Sequence, residues 1–214
     1  MRQGSRRPVQ LGVDDAVLEG RLTLGREATR LVVVVNGDWG VRYASRETGI
    51  AERLRREGFG TLLIELLTPE EGADRSNRFG IDLLADRLAG VSEWLDRRER
   101  TAGLDRGLFG VGPGAATALR AATTRETDIG AVVTLDGRMD LVDLPEGLTV
   151  PTLLVVDGTN GHLLRINRRA YRDLRGEGHR YTVLQSDGRT GDSVSADATS
   201  LATNWYETHL TGGS

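Results

Sequence analysis

The stretch Leu108-Phe109-Gly110-Val111-Gly112-Pro113-Gly114-Ala115-Ala116 decides how this chain of 214 residues is read. It closes a run with strand character, Gly107 to Val111, and opens a small-residue run with helix character, Ala115 to Ala122. Gly110, Gly112 and Gly114 alternate across the junction, which marks a strand–turn–helix corner whose backbone is too sharp for side chains. The apex residue, Gly112, carries no group that can attack a substrate. Pro113 after it has no backbone N–H to donate.

Outward from this corner the chain alternates between strand and helix patterns. Leu31 to Val35 is a continuous β-branched and leucine run, the mark of a strand buried on both faces. Thr48 to Glu57 reads as a helix stopped by Gly58, and Thr61 to Glu65 as the next strand. Thr68 to Phe79 is polar and reads as a surface loop. Leu84, Leu88, Val91 and Leu95 recur at helical spacing within Ile81 to Arg97. Beyond the corner, Gly130 to Leu135, Thr152 to Val156 and Tyr181 to Leu184 read as strands, with helices over Leu163 to Leu174 and Ala196 to Leu210. Near the start, Val9 to Val13 and Val17 to Leu24 suit a hairpin turning at Asp14-Asp15, after a flexible arm over residues 1–8. Strands alternating with helices of this length predict βαβ crossovers. The expectation is one α/β domain over 9–214, with a mostly parallel twisted sheet covered by helices on both faces. A Rossmann-type sheet would require Gly-x-Gly-x-x-Gly after the first core strand, and neither Asn36-Gly37-Asp38-Trp39-Gly40 nor the corner fits it.

Composition narrows the chemistry. There is no Cys, so disulfides, thiolate nucleophiles and zinc–thiolate sites are excluded. Every basic side chain is Arg, which removes Schiff-base chemistry and the P-loop lysine. A net charge of -3 gives no electrostatic case for nucleic acid or an anionic membrane. No apolar run approaches the roughly 20 residues of a membrane span, and Met1 to Gln10 lacks the apolar segment of a secretory signal, so a cytoplasmic location is expected. The residues call for no cofactor and no metal.

Several stretches together resemble the dienelactone-hydrolase-like branch of the α/β-hydrolases, from about Val9 to Leu210. They are Leu66-Leu67-Thr68-Pro69-Glu70-Glu71, Arg78-Phe79-Gly80-Ile81, Gly107-Leu108-Phe109-Gly110, Pro151-Thr152-Leu153-Leu154 and the Trp205 helix ending at His209-Leu210. The resemblance implies an eight-stranded sheet, with serine, aspartate and histidine in that chain order on loops at the carboxyl ends of strands. In that family the corner is the nucleophile elbow, Gly-x-Ser-x-Gly, and the N–H after the serine forms half of the oxyanion hole. Carried over residue by residue, the serine position is Gly112 and the residue after it Pro113. The aspartate position falls on Asn160 in Asp157-Gly158-Thr159-Asn160, and the histidine position on or beside Arg189 in Ser186-Asp187-Gly188-Arg189-Thr190. The oxyanion loop reads Asn36-Gly37-Asp38-Trp39, where the family has His-Gly and small polar residues. A carboxylate at Asp38 would repel a developing oxyanion. A triad works as a unit, so the resemblance implies the fold without ordinary serine hydrolysis.

The remaining candidates line the same end of the expected sheet. His162 suits a pocket acid or base, or equally a cap at the start of the Leu163 helix. Asp38 and Asp136 stand just past strand ends and suit acid/base work, or a divalent cation shared with Asp157; for Asp136 and Asp157 we prefer turn and helix capping. Trp39, Arg42 and Tyr43 suit either a planar or anionic ligand or a lid over an emptied site, and Arg189 suits an ion pair with Asp38. His179 is expected in a surface turn, and His209 as a cation at a helix C-terminus. Two functions follow. One is a catalytically degenerate hydrolase, a pseudoenzyme kept to bind a small molecule or a protein partner in the cleft, with a homodimer left open and a biosynthetic setting expected. The other is a repurposed non-hydrolytic enzyme, a lyase, cyclase or isomerase, with Asp38, His162, Asn160 or Arg189 moving protons and stabilising charge.

Overall fold

The computed structural model describes residues 5–35, 45–124, 127–144, 148–174, 176, 178–185 and 191–211. Strands β1 (Ser5–Val13) and β2 (Ala16–Leu24) form an antiparallel hairpin whose turn places Asp14 at φ 49°, a left-handed conformation that Asp tolerates. The hairpin is longer than expected: Ser5 pairs with Leu24, so residues 5–8, expected in an arm, lie in β1. Six further strands follow: β3 (Arg30–Val35), β4 (Gly60–Ile64), β5 (Asp105–Val111), β6 (Ile129–Leu135), β7 (Thr152–Asp157) and β8 (His179–Leu184). The eight form one sheet in the order β1-β2-β4-β3-β5-β6-β7-β8. Every pairing from β4 through β8 is parallel, and only the hairpin and its junction with β4 are antiparallel. This is the single-domain α/β fold that the strand–helix alternation predicts.

Helices cover both faces. On one side lie α1 (Ser45–Arg56) and α6 (Gly191–His209); on the other lie α3 (Ile81–Asp96), α4 (Pro113–Ala121) and α5 (Gly161–Asp173). Successive side chains of a strand point to opposite faces, so each central strand feeds two cores. In β3, Leu31, Val33 and Val35 join Leu84, Leu88 and Ala115, whereas Val32 and Val34 join Ile50, Leu54 and Val194. All five are at most 1% exposed, which explains a run with no polar residue. Burying each such side chain contributes about 1.5–3 kcal/mol, so these two layers supply most of the driving force.

The stretch expected as a loop between Thr68 and Phe79 is partly helical. It contains α2 (Pro69–Ala73) and a 3-10 turn over Asn77–Phe79. Thr68 and Glu71 make a capping box, with the Thr68 hydroxyl accepting from the Glu71 N–H and the Glu71 carboxylate from the Thr68 N–H. Pro69 sits where its missing N–H is no loss. Two histidines also differ from expectation. His179 opens β8 and its Nε2 lies 3.1 Å from the Leu148 carbonyl oxygen, so it is not in a free turn. His209 packs its ring 4.3 Å from that of Trp205, and burial, then the Arg180 charge, hold its pKa below the usual histidine range, which disfavours the capping cation that the sequence suggests.

Candidate functional site

The corner after β5 is built by two glycines with different tasks. A Cβ at Gly110 would lie 2.5 Å from the Ala115 Cα and 2.6 Å from the Gly114 carbonyl oxygen. Helix α4 therefore begins directly on top of the strand, and only glycine lets the two backbones meet. Gly112 adopts φ 54°, ψ −122°, a conformation that L side chains rarely take. Among the described residues, no heavy atom outside its own neighbours lies within 4 Å of where its Cβ would stand. The apex thus presents backbone and no side chain. Gly112 donates its N–H to the Leu135 carbonyl (3.0 Å), and its own carbonyl accepts from Ala115 (3.2 Å) and Arg138 (3.0 Å). Pro113 occupies the first helical position, so the start of α4 has one amide donor fewer.

Around the apex the neighbouring strand ends are tied together by polar side chains. Asp136, just past β6, has φ 52°. Its N–H donates to the Val155 carbonyl (3.0 Å), and its Oδ1 accepts from the Asp157 N–H (2.8 Å). Its Oδ2 pairs with the Arg46 Nη2 at 2.8 Å. The Arg46 Nε donates to the Ser195 Oγ (3.1 Å), and Ser195 donates to the Gly191 carbonyl (2.9 Å). One carboxylate thereby joins α1 and α6 to the ends of β6 and β7. The left-handed backbone of Asp136 persists because these partners hold it.

On the other side of the apex, Arg138 and Asp140 form a two-pronged pair at 2.8 Å for each prong. The Arg138 guanidinium holds the Asp140 carboxyl below the usual carboxylate range, with a smaller contribution from the His162 charge. His162 is exposed, and its backbone N–H, like that of Leu163, donates to the Asn160 Oδ1 at 3.1 Å. Asn160 is therefore the N-cap of α5, and the cap reading of this turn belongs to Asn160 and not to the His162 ring. Asp157 accepts from the Thr159 N–H and hydroxyl, both at 3.0 Å, which makes it a turn former. Buried Asn167 of α5 donates to the Gly137 carbonyl (2.8 Å) and to Leu163 (2.9 Å), fixing the loop after β6 from beneath.

Of the residues singled out in the sequence, Gly112, Pro113, Asp136, Asn160 and His162 gather at the carboxyl ends of β5, β6 and β7. Asn36, Asp38, Trp39, Arg42, Tyr43 and Arg189 lie outside the described residues. Among the described residues no group of three or more His, Asp or Glu side chains is placed to hold a metal ion, and no helix is long and apolar enough to cross a membrane. Sequence reasoning missed Arg46, because it started the first helix at Thr48 and not at Ser45. It also missed the Arg138–Asp140 pair.

No family model matches the chain. A solved dienelactone hydrolase from Anabaena variabilis is 33% identical, covering 98% of this chain and 100% of that one, with a TM-score of 0.89. An esterase of Pyrococcus furiosus shares the fold at a TM-score of 0.78 and 15% identity, over 97% of this chain and 94% of its own. A serine hydrolase from Xanthomonas campestris described as lacking a lid does so at 0.76 and 14%, over 96% and 95%. A Mycobacterium tuberculosis protein, provisionally described as a phosphoribosyl transferase, is 37% identical over 210 residues, 95% of this chain and 46% of that protein. The chain thus spans about half the length of the curated relatives it matches.

Proposed function

The chain belongs to the dienelactone-hydrolase branch of the α/β-hydrolases, and from that premise we propose that it is a non-hydrolytic member: a binding domain that keeps the family's corner and not its acyl-transfer chemistry. The observation that carries this is Gly112, which stands at the apex with an elbow-like backbone and no side chain. A nucleophile is the one component that covalent acyl transfer cannot omit. The substitutions at Pro113, Asn160 and Arg189 fit the same reading, as does the commitment of Asp136 to Arg46 and to the Asp157 N–H. The cleft would take a small polar molecule or a segment of a partner protein. In chains as long as the mycobacterial relative, the domain would accompany a transferase whose chemistry resides in the other part of the protein.

A repurposed enzyme is favoured by one observation: Arg138, whose N–H donates to the Gly112 carbonyl, brings its ion pair with Asp140 beside the apex, where an emptied site would gain by filling with apolar side chains. Two measurements separate these functions from a serine hydrolase and from each other. A fluorophosphonate probe should leave the protein unlabelled; stoichiometric labelling would sink both. A thermal-shift panel of polar metabolites should then raise the midpoint for a ligand of the native state. A hit returned chemically changed after incubation would favour the repurposed enzyme.

A further inference from the structure

A concavity lies far from the apex, at the other end of the sheet. Helix α3 packs closely on the hairpin at Gly90, where a Cβ would stand 2.3 Å from the Val13 Cγ1. It stops at Asp96, while β1 and β2 run on toward Arg7 and Leu24. Beyond the end of α3 the hairpin contributes Val9 and Leu22, partly buried against the core, and the edge of Leu24. These three and Trp94 form the apolar part of a groove of about 510 Å³.

The rim of the groove is cationic. Arg7 contributes from the strand side, and Arg98 and Arg100 from the loop after α3, against one carboxylate, Glu99. The two guanidinium groups of this loop, both exposed, stand beside the single carboxylate among the lining residues. The loop that carries them is fixed. Thr101, 1% exposed, donates its hydroxyl to the Leu95 carbonyl (2.6 Å). Buried Arg106 pairs with Asp96 and donates to the carbonyls of Ser92 (3.3 Å) and Thr101 (3.4 Å). Arg98 lies with its Cζ 3.3 Å from the centre of the Trp94 ring and donates to the Trp94 carbonyl (3.2 Å). Its charge is thus held beside the apolar wall before any ligand arrives, which lowers the ordering cost of binding.

We propose that this groove binds a small amphiphilic anion, an apolar body with one carboxylate-like head, independently of the cleft at Gly112. The body lies along Val9, Leu22 and Leu24 and the head meets Arg98 and Arg100. Both the volume and the combination of an apolar floor with a few convergent charges are those of a small-molecule site.

Decanoate, with decyltrimethylammonium and decanol as charge-reversed and neutral controls, tests the proposal by calorimetry and by the Trp94 indole N–H resonance, assigned with Trp94→Phe. On the intact chain decanoate should bind and shift that resonance, and decyltrimethylammonium should not. Arg98→Glu with Arg100→Glu should weaken decanoate roughly tenfold or more, since each exposed charge pair is modest alone. Both side chains are exposed, so the fold should hold; Arg100→Glu alone, at an arginine without the ring contact, should weaken it by a smaller factor in the same direction. Equal binding of the ammonium, decanoate binding unchanged in both variants, or binding that leaves the Trp94 resonance in place would overturn the proposal.

Discussion

Replacing Glu71 by Gln should make the stability of this domain less dependent on acid, by an amount that the clasp around Arg87 sets. Arg87 is buried in α3, donates to the Leu66 carbonyl (2.9 Å), and pairs with the Glu71 carboxylate, whose other task is the capping box with Thr68. Chiefly through the hydrogen bond with Arg87, the Glu71 pKa is lowered from 4.5 to about 2. At about 1.4 kcal/mol per pKa unit this amounts to roughly 3 kcal/mol, and solvent screening of a side chain that is 31% exposed trims it to about 2 kcal/mol. The folded pKa is depressed, so this stability is fully present above pH 4.5 and is lost as pH falls toward about 2. Near pH 7 Glu71→Gln should cost about 2 kcal/mol or somewhat more, since it leaves Arg87 as a buried charge without its partner. For a domain of this size that is roughly 4–8 °C in midpoint. The assay is urea unfolding of both proteins between pH 7 and pH 2.5. The gap between them should narrow steadily below pH 4.5. A gap of constant size across the range, or none at pH 7, would refute the assignment of this carboxylate to Arg87.

Three further substitutions probe the frame of the site. Gly110→Ala should cost more than about 3 kcal/mol or prevent folding, because its Cβ would meet backbone at 2.5 Å, whereas Gly112→Ala should cost only about 1–2 kcal/mol of backbone strain; chemical unfolding of the pair gives the ranking, and equal costs would count against the corner as described. Asp136→Ala and Arg46→Ala should each destabilise by about 1–3 kcal/mol and be strongly non-additive in a double-mutant cycle, since they share one ion pair; additive effects would mean that the pair does not couple the two helices to the strand ends. Tyr206→Phe should cost about 1–3 kcal/mol without shifting the fold, because the fully buried hydroxyl donates to the Leu108 carbonyl at 2.6 Å; an unchanged urea midpoint would contradict that bond.

The strands and their order of burial were legible because apolar runs such as Leu31 to Val35 have no alternative place in a covered sheet. The corner was legible because three alternating glycines between a strand and a helix leave room for little except a close backbone crossing, and the structure gives Gly110 and Gly112 separate reasons. The helix at Pro69–Ala73 went unread although its capping box, Thr68 to Glu71, was in plain view; five residues are too few to show helical periodicity. Arg46 was invisible for a different reason. Its partner Asp136 is 90 residues away, and nothing local tells an arginine at a helix start that it faces a strand end. Similarly, His209 reads as a helix-end cation in sequence, whereas burial and then the Arg180 charge lower its pKa in the fold.

The proposal that this α/β-hydrolase-fold domain does not hydrolyse esters is tested most directly by restoring the nucleophile. Gly112 already holds the backbone that a serine at the apex requires, and among the described residues nothing lies within 4 Å of where its Cβ would stand. The serine would still meet no N–H from Pro113 to hold the oxyanion, a donor whose loss alone costs roughly a hundredfold or more, and residue 189 is an arginine and not a histidine. The measurement is the turnover of p-nitrophenyl acetate by the natural chain, by Gly112→Ser, and by Gly112→Ser combined with Pro113→Ala, Asp38→Ser, Asn160→Asp and Arg189→His. The account predicts no saturable turnover from the first two and a measurable rate only from the combined variant. Saturable turnover by the natural chain, or a clear rate from Gly112→Ser alone, would contradict it.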